Sequence, residues 1–493
     1  MISGKYAGVG ALIRYNFLLK NTVIDEPYEN MPAAEVGLKK GDVILAIGDS
    51  SMVGKDVAYV SNHLRGDAGT TFILTIQRPS VNKKMKFKIT RRSIQLPAVP
   101  YYGVQDGGVG YLNLNSFTTG CAKDVRRAFL DMKKQGMTSL VFDLRNNGGG
   151  SLQEAVNIVN MFVPKGITLV KTVGKMERAN KEYKTTVEPI DTVMPIVVLV
   201  NDETASASEI TSGSLQDLDR AVVLGTRTYG KGLVQVSMDL PYNGNLKLTS
   251  SKYYIPSGRC IQAINYKHAN GGYTEHVPDS LTHVFHTANG REVRDGGGIK
   301  PDVEVRPDSL PNIAFYLASS GRDSTEVMWN WELQYLKKHP TIGPAKTFVI
   351  SDADFEDFKQ AVLKSGFKYD RESKKYLENL VKLAKFEGYY DDAKGEFDAL
   401  EKKLNHNLAK DLDYNKQTLK KVLTSDLVSA YYYQKGSLEN SLQFDKQWKK
   451  AVEILKNPAE YKKLLQPVVG QPLVKLEPAS NVAVDKKQKS KAK

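Results

Sequence analysis

The sequence of 493 residues has only two cysteines, Cys121 and Cys260. Two cysteines exclude a disulfide scaffold and a cysteine-built zinc site, and they allow at most one bridge. No apolar run approaches the ~18 residues that a membrane-spanning helix needs; the longest, residues 194–200, suits a buried strand. The start also lacks the basic and apolar segments of a signal peptide. The sequence therefore predicts either a cytosolic protein or a chain whose export signal lies upstream.

The excess of basic residues is spread along the chain. Lysine and arginine number 69 against 55 acidic residues, which gives a formal net charge of +14. The last 19 residues contribute +4 of this, because they hold six lysines against Glu477 and Asp485. The remainder is diffuse, and no cluster interleaves basic with aromatic residues in the way typical of nucleic-acid-binding proteins. We therefore expect no nucleic-acid partner.

The residue pattern divides the chain into four regions. Residues 1–94 contain short alternating runs separated by Gly, Pro and Asp, which indicates a small β-rich domain. Residues 95–310 alternate predicted strands with predicted helices, which favours a parallel-type sheet covered by helices. Residues 311–467 are predicted to be helical, because between Pro344 and Pro458 there is no proline and apolar residues recur every three or four positions. Residues 468–493 lack periodicity and predict a disordered basic tail.

Hydrophobic periodicity places individual elements within these regions. The predicted strands cover residues 11–15, 43–47, 71–77, 85–90, 110–114, 139–144, 196–200 and 221–224. The predicted helices cover residues 56–64, 123–134, 152–162 and 207–218. In an α/β sheet, ligands bind beyond the carboxyl ends of the strands, so catalytic residues are expected there.

The strongest candidate for catalysis follows the predicted strand 196–200. The run NDETASASEI at 201–210 provides a polar turn and then a helix that begins near Ser206. A serine at a helix N-terminus lies beside free backbone N–H groups, which can stabilise an oxyanion. Taken alone, Ser206 or Ser208 is also explained as an ordinary helix cap. No Gly-x-Ser-x-Gly elbow occurs, which is evidence against an α/β-hydrolase.

A serine nucleophile needs a base. None of the histidines lies among small residues at a strand end; they are His63, His268, His276, His283, His286, His339 and His406. A lysine can serve instead where desolvation leaves it neutral. Lys231 is the candidate, because it follows the predicted strand 221–224 and is flanked by Gly230 and Gly232, which allow a tight bend.

The same segment has the spacing of a phosphate-binding loop. Gly225 and Gly230 are separated by four residues and followed by Lys231, but position 232 is Gly rather than the Ser or Thr that would hold magnesium. The segment also leads into a strand-like run at 233–237, whereas a phosphate-binding loop must open a helix. Both differences argue against phosphate binding.

A second glycine-rich turn follows the predicted strand 139–144. The run DLRNNGGGSL at 143–152 again connects a strand to a helix. One explanation for the three glycines is a tight turn in which the backbone requires positive φ. It also provides N–H groups for an oxyanion, and the two explanations are compatible because a tight turn exposes these groups.

Several separated runs together resemble the C-terminal processing peptidases, also called tail-specific proteases. In the α/β region the matching runs are DLRNNGGG at 143–150, TASASEI at 204–210, YGKGLVQ at 229–235, YYIPSG at 253–258 and GIKPD at 298–302. The first domain resembles the PDZ domain of these enzymes through GVGA at 8–11, MPAAEVGLKKGD at 31–42 and LRGDAGT at 64–70. The resemblance covers about residues 6–305, and the shared order of the runs makes it specific.

The resemblance implies a fold and a set of site residues. The fold would be α/β and multidomain, with a PDZ domain, a ClpP/crotonase-like α/β protease core and a helical C-terminal region. Ser206 would be the nucleophile of a serine endopeptidase, Lys231 its general base, and Gln235 would orient the lysine amine. The oxyanion hole would use backbone N–H groups from Ala207 and from the turn formed by Gly148, Gly149 and Gly150. No metal or cofactor is expected.

The PDZ resemblance implies its own binding mode. An extended peptide adds as a strand to a sheet edge, and N–H groups of a glycine loop bind its C-terminal carboxylate. Gly8, Val9, Gly10 and Ala11 would form this loop, although the same residues are also explained as an ordinary glycine turn. The expected partners are proteins or peptides with accessible C-termini. A homo-oligomer or adaptor contact through the C-terminal helices is a further expectation.

The resemblance also implies a location and leaves two alternatives. Family members usually carry an export signal, so we expect one upstream of Met1 and a periplasmic or membrane-associated extracytoplasmic location. One alternative is a tricorn-type serine protease that uses histidine, which is disfavoured because no histidine is suitably placed. The other is a PDZ scaffold that binds tails without cutting them; the presence of both Ser206 and Lys231 argues against it.

Overall fold

The computed structural model describes residues 5–242, 244–265, 273–274, 278–319, 323–404 and 407–467. The predicted basic tail 468–493 and the histidines His268, His276 and His406 lie outside the described residues. The chain forms two compact units. One contains the described parts of Pro97–Pro307 and Asp445–Lys493, and the other those of Lys5–Leu96 and Asp308–Phe444. In the described part of the chain, we find no helix that is both long and apolar enough to cross a membrane.

The first domain is a small antiparallel β-structure, as predicted. Its strands are β1 (Lys5–Gly8), β2 (Ala11–Asn16), β3 (Asn21–Pro27), β4 (Val43–Ile47), β5 (Ser50–Ser51), β6 (Thr71–Arg78), β7 (Lys83–Thr90) and β8 (Arg92–Gln95). Its helices are α1 (Pro32–Glu35) and α2 (Val57–Leu64). Five strands pair in the order β2-β3-β4-β6-β7, β5 pairs with β4, and β1 pairs with β8. Asp56 begins α2, because its carboxylate accepts a hydrogen bond from the Tyr59 N–H at 2.7 Å.

The second region is the α/β core. Its strands are β9 (Tyr102–Gln105), β10 (Val109–Asn113), β11 (Ser139–Asp143), β12 (Thr168–Gly174), β13 (Lys181–Lys184), β14 (Ile196–Val200), β15 (Val222–Gly225), β16 (Leu233–Leu240), β17 (Gly244–Tyr254), β18 (Ile264–Asn265), β19 (Tyr273–Thr274), β20 (Val284–His286), β21 (Glu292–Arg294) and β22 (Val303–Glu304). Its helices are α3 (Cys121–Lys134), α4 (Leu152–Val159) and α5 (Ala207–Asp217). These bounds confirm the predicted alternation of strands and helices.

The central sheet of the core has the strand order β22-β15-β14-β11-β10-β9. Neighbouring strands from β10 to β22 run parallel, and β9 is antiparallel to β10. Every residue of β11, β14 and β15 is buried, which explains why these strands read as continuous apolar runs. Because the strands are parallel, the turns after β11, β14 and β15 leave the same edge of the sheet.

A second, antiparallel sheet has the order β13-β12-β17-β16. Strands β16 and β17 form a long hairpin, and β16 begins two residues after Lys231. The two cysteines lie in this unit as free thiols, Cys121 buried and Cys260 half-buried. They are therefore not joined to each other.

The predicted helical region is confirmed. Its helices are α6 (Asn312–Ala318), α7 (Val327–Lys338), α8 (Asp352–Ser365), α9 (Glu372–Glu387), α10 (Lys394–Leu404), α11 (Leu408–Tyr414) and α12 (Lys416–Ser441). Buried apolar residues of α6, α7, α8, α11 and α12 form one core, in which Trp331, Phe355 and Leu423 are nearly inaccessible to solvent. This core lies in the same compact unit as the first domain.

The last two helices differ from the sequence-based division. The sequence places residues 311–467 in a single helical region, but α13 (Lys446–Lys456) and α14 (Pro458–Leu464) belong to the unit of the α/β core. The Tyr461 hydroxyl lies 3.0 Å from the backbone N of Ile196 at the start of β14. An amphipathic helix shows which of its faces is apolar but not which surface that face covers, so the pattern could not reveal this return to the core.

Candidate active site

Ser206 lies in the turn between β14 and α5, immediately before the first residue of the helix. It is half-buried and has φ 57°, a positive value that a non-glycine residue seldom adopts. Such conformations persist only where the surroundings hold them, and they are frequent at functional sites. The serine is therefore fixed at the N-terminus of α5, where the helix presents backbone N–H groups.

Glu209 joins the serine turn to the lysine turn. This fully buried carboxylate accepts hydrogen bonds through Oε2 from the N–H groups of Ser206 at 2.9 Å and Lys231 at 2.8 Å. Through Oε1 it accepts from the Gly230 N–H at 2.7 Å and the Thr228 hydroxyl at 2.6 Å. Burial raises the pKa of Glu209, whereas these four hydrogen bonds lower it. One side chain thus holds both turns in register.

Tyr253 at the end of β17 makes a second connection between the two turns. Its hydroxyl donates to the carbonyl oxygen of Lys231 and lies 3.4 Å from that of Ser206. Burial, followed by the negative charge of Glu209, raises the pKa of Tyr253 well above its ordinary value. The phenol therefore stays protonated and remains a donor. Ser206 and Lys231 are thus connected on their N–H side by Glu209 and on their carbonyl side by Tyr253.

Lys231 is half-buried and stands between two glycines. The backbone of Gly230 packs against Ala263, and that of Gly232 packs against Gln262. Gly230 has φ 85°, and the Gly232 N–H donates to the side-chain oxygen of Gln262 at 2.6 Å. Gln235, the residue predicted to orient the lysine amine, lies on β16 opposite Thr249 and is exposed. Its role toward Lys231 stays a prediction.

The glycine turn after β11 packs directly against the serine turn. A Cβ added to Gly149 would lie 2.8 Å from both the backbone N of Ala207 and the Cβ of Ser206, so only glycine fits there. The Gly149 N–H donates to the Asn147 side chain at 2.9 Å and is therefore engaged. Gly148 and Gly150 are both exposed, and they are the better candidates in this turn for binding an oxyanion.

Asn147 and Thr204 fix the two turns to each other. The carbonyl oxygen of Asn147 accepts from the Ala205 N–H at 3.0 Å and from the Ser208 hydroxyl at 2.8 Å. Ser208 is fully buried by these contacts. Thr204 stands where the resembling peptidases often have serine, and its hydroxyl donates to the Leu144 carbonyl at 2.9 Å. Because this bond needs only a hydroxyl, threonine preserves it.

Three of the four described histidines have partners outside these turns, and the fourth, His286, lies on the separate short strand β20. His63 Nδ1 lies 2.9 Å from the Tyr59 carbonyl, His283 Nδ1 lies 3.1 Å from Asp295, and His339 Nδ1 lies 3.1 Å from the Tyr335 carbonyl. We also find no cluster of three or more His, Cys, Asp or Glu suited to a metal ion in the described ranges.

The predicted peptide-binding loop lines a cleft in the first domain. The cleft has a volume of about 70 Å³. It is lined on one side by the end of β1, the connecting residues and the start of β2 (Gly8, Val9, Gly10, Ala11 and Ile13), and on the other by residues of α2 and the residue after it (Ser61, Leu64 and Arg65). Gly10 has φ 72°, and a Cβ there would lie 2.5 Å from the Met31 side chain. All four residues predicted from the sequence therefore line one groove beside the edge strand β2.

Glu209, Tyr253 and Asn147 were missed by the sequence analysis, although each lies within or beside a run that it singled out. Glu209 had a recognisable signal, because a glutamate three residues after a serine at a helix start is the spacing of a capping box. Tyr253 and Asn147 had none, since their partners are distant in sequence.

Comparison with known protein families finds matches to three segments of the chain. Residues 108–268 match the model of peptidase family S41, and residues 23–78 match that of the PDZ domain. Residues 316–455 match the model described as the C-terminal helical domain of a probable PDZ-protease.

Related proteins found by sequence comparison are named as proteases. The chain is 37% identical over 266 residues to a carboxy-terminal-processing protease of Bartonella bacilliformis, a match that covers 53% of this chain and 60% of the relative. It is 31% identical over 389 residues to a probable CtpA-like serine protease of Staphylococcus aureus, covering 77% of this chain and 65% of the relative. The chain thus spans between about half and two thirds of the length of such relatives.

A solved structure, the photosystem II D1 C-terminal processing protease, is 27% identical with a TM-score of 0.34, covering 62% of this chain and 73% of that one. A likeness at this TM-score carries no argument. The sequence matches place a segment similar to peptidase family S41 after a match to the PDZ domain and before a match to the C-terminal helical domain of a probable PDZ-protease, and the chain is similar to carboxy-terminal-processing and CtpA-like serine proteases.

Proposed function

We propose that this protein is a serine endopeptidase that uses Ser206 as nucleophile and Lys231 as general base. The observation that carries the proposal is the double connection between the two residues through Glu209 and Tyr253. A purely structural turn has no need to connect a half-buried lysine to a serine that has a positive φ. The matches to carboxy-terminal-processing proteases support the same reaction class.

The reaction proceeds in two stages. The Ser206 oxygen attacks the scissile carbonyl carbon while its proton passes to the neutral amine of Lys231. The oxyanion that forms is bound by the Ala207 N–H and by an N–H of Gly148 or Gly150. When the carbon–nitrogen bond breaks, the ammonium group of Lys231 returns the proton to the leaving amine. Water, activated by the lysine, then hydrolyses the acyl-enzyme. Gln235 orients the lysine amine during both stages.

The cleft of the first domain indicates which class of substrate the protein binds. A protein C-terminus pairs with β2 as an added strand, and its carboxylate is bound by N–H groups of Gly8, Val9 and Gly10. The substrates are therefore proteins or peptides with accessible C-termini. An extracytoplasmic, periplasmic location accompanies this role, and cell fractionation that finds the native protein in the cytosol would contradict it.

The helical region provides a surface for assembly. Helix α9 exposes Tyr376, Leu380, Leu383 and Phe386, each at least half accessible to solvent. Apolar surface of this kind favours a contact with a second copy or an adaptor. Sedimentation of the full chain against a Leu380→Glu/Leu383→Glu variant tests this part of the proposal: no mass change on substitution would contradict it.

The dyad is tested by substitution. Ser206→Ala and Lys231→Arg should each abolish cleavage of a denatured protein while circular dichroism stays unchanged, because guanidinium cannot give up its proton at working pH. The double variant should be no worse than either single one, since the two residues act as a unit. Retained cleavage in either single variant would refute the assignment.

Tail recognition is tested separately. Amidating the C-terminus of a peptide substrate should weaken cleavage by about ten-fold or more, because a hydrogen bond to a charged acceptor contributes roughly 1.5–3 kcal/mol and 1.4 kcal/mol is one decade. Equal cleavage of free and amidated peptides would mean that the cleft does not bind carboxylates, without affecting the dyad.

A further inference from the structure

Arg145 lies in the turn that packs against Ser206, and residues from the end of the chain hold its guanidinium. Its Nη2 lies 2.7 Å from the Asp445 carboxylate, and its Nη1 donates to the Gln447 side chain at 2.8 Å. Nε donates to Asp143 at 2.9 Å. The side chain is only 17% exposed, so these charge-assisted hydrogen bonds are largely shielded from water.

Asp445 and Gln447 are well placed to hold this arginine. Asp445 is also the N-cap of α13, accepting from the N–H groups of Gln447 at 2.8 Å and Trp448 at 3.1 Å. Gln447 is 2% exposed, and its side-chain nitrogen donates to the Val305 carbonyl at 2.6 Å. Both side chains are therefore fixed independently of Arg145. Burial lowers the pKa of Arg145, but the charges of Asp143 and Asp445 raise it well above its ordinary value.

The position of Arg145 affects the glycine turn, because the residues that follow Arg145 form that turn. Asn146, the next residue, has φ 58°, and its N–H donates to the Asn201 side chain at 2.9 Å. Asn147 follows, whose carbonyl holds Ala205 and whose side chain engages Gly149. A shift of Arg145 would thus be passed within two residues to the turn that packs on Ser206.

We propose that Asp445 and Gln447 are positioning residues of the peptidase site, which act through Arg145 on the 146–150 turn. The proposal rests on the function proposed above. It gives helix α13 a part in catalysis in addition to its part in packing. Because the turn is to bind an oxyanion that exists only after attack, its displacement should lower kcat while KM changes little.

Attachment of α13 to the core does not depend on these two residues. Trp448, Ala451 and Ile454 are buried, and the Tyr461 hydroxyl in α14 lies within 3.0–3.2 Å of the backbone of Ile196. Removing the contacts to Arg145 should therefore leave the helix in place. This separation allows the positioning role to be distinguished from a loss of stability.

The test compares three variants of the full chain. Asp445→Asn keeps an N-cap but removes the charge, and Gln447→Leu removes both of its hydrogen bonds at similar volume. Tyr461→Phe is the matched control, since it removes the hydroxyl contacts of the same C-terminal segment to the core without touching Arg145. We expect the first two to lower kcat on a fluorogenic peptide about ten-fold, with KM within about two-fold, because small misplacements of site groups have effects of this size. Tyr461→Phe should lower Tm and leave kcat unchanged.

Hydrogen exchange supplies a readout that does not depend on catalysis. Amides of residues 146–150 should exchange faster in Asp445→Asn and Gln447→Leu than in the wild type, and not in Tyr461→Phe. Unchanged exchange with unchanged kcat, or an equal kcat loss in Tyr461→Phe, would overturn the positioning role. If the wild type shows no cleavage that depends on Ser206, the proposed function fails, and the exchange measurement alone then decides whether Asp445 and Gln447 fix the turn.

Discussion

Glu209 in the α/β core and Glu332 in helix α7 are both buried glutamates, with 0% and 2% of their surface exposed. Their partners differ. Glu209 accepts hydrogen bonds from three backbone N–H groups and one hydroxyl, two at each oxygen. Glu332 instead pairs with Lys40 of the first domain at 3.0 Å and lies beside the carboxyl of Asp426 on α12.

Burial raises the pKa of both carboxyl groups, but the groups that surround them differ. The donors around Glu209 are neutral and cannot move far, so they hold a carboxylate in one position. Glu332 instead lies beside a second carboxyl group, that of Asp426, whose negative charge disfavours ionisation of Glu332. Burial, opposed by the charge of Lys40 and reinforced by that of Asp426, raises the pKa of Glu332 to about 8. Burial alone therefore does not determine the role of a carboxyl group; the hydrogen-bond donors and charges around it also determine that role.

The largest effect is expected from removing the acceptor at position 209. Glu209→Ala leaves buried N–H groups of Ser206, Gly230 and Lys231 without a partner and releases the two turns from each other. Cleavage should fall by about 100-fold or more, because misplacement of reacting groups by roughly an ångström has this effect. Rates on a denatured protein should be compared with those of Glu188→Ala, an exposed glutamate of the same unit. Near-wild-type cleavage by Glu209→Ala would show that Glu209 is not needed to hold the serine turn and the lysine turn for catalysis.

A smaller effect is expected at position 332 and concerns stability and pH. The pKa of Glu332 is raised in the folded state, so its contribution to stability is complete below the ordinary value of 4.5 and is lost as pH rises through about 8. Neighbouring Asp426 has a raised pKa from burial and acts in the same direction. The free energy of unfolding should therefore fall between pH 5 and pH 9, and Glu332→Gln, which cannot ionise, should reduce this fall.

Urea unfolding followed by tryptophan fluorescence measures this change, because Trp329 and Trp331 lie in the same unit as Glu332. The fall in the free energy of unfolding between pH 5 and pH 9 should be larger in wild type than in Glu332→Gln by roughly 4 kcal/mol, since the pKa of Glu332 rises from 4.5 to about 8 and one unit of pKa corresponds to about 1.4 kcal/mol. Glu378→Gln, at an exposed position of α9, is the control. Identical pH slopes for wild type and Glu332→Gln would show that the pair with Asp426 does not titrate in this range.

The comparison also shows what the sequence could reveal. The sequence could place Ser206, Lys231 and Gly149 in turns at strand ends, because each stands in a short run whose residue types are dictated locally by a helix start or a tight turn; their roles in catalysis stay predictions. The contact of Glu209 with Lys231 spans 22 residues along the chain and depends on how β15 pairs with β14. Periodicity identifies strands but not their neighbours, so this contact could not be derived from it.

The helical elements show the same limit. The sequence predicted helices after residue 311 correctly, but it could not assign α13 to the α/β core or α7 to the first domain. Lys40, which pairs with Glu332, looks like an ordinary surface lysine in a run of charged residues. Its burial against Trp329 arises only when helix α7 packs on that domain, with Nζ 4.8 Å from the indole ring centre. The features that could not be predicted from the hydrophobic pattern therefore depend on contacts between segments that are distant in the sequence.

The smallest effect is expected at Ser208, two residues from the proposed nucleophile. Its hydroxyl is buried and donates to the Asn147 carbonyl, which keeps its other hydrogen bond, from the Ala205 N–H, when the hydroxyl is removed. Ser208→Ala should therefore cost about 1 kcal/mol of stability, the usual net contribution of such a bond. Cleavage should stay within a few-fold of wild type, because the Asn147 carbonyl remains anchored and the Glu209 contacts are untouched. Rates of Ser208→Ala and Ser206→Ala measured side by side decide between the two serines: an inactive Ser208→Ala with an active Ser206→Ala would exchange their roles.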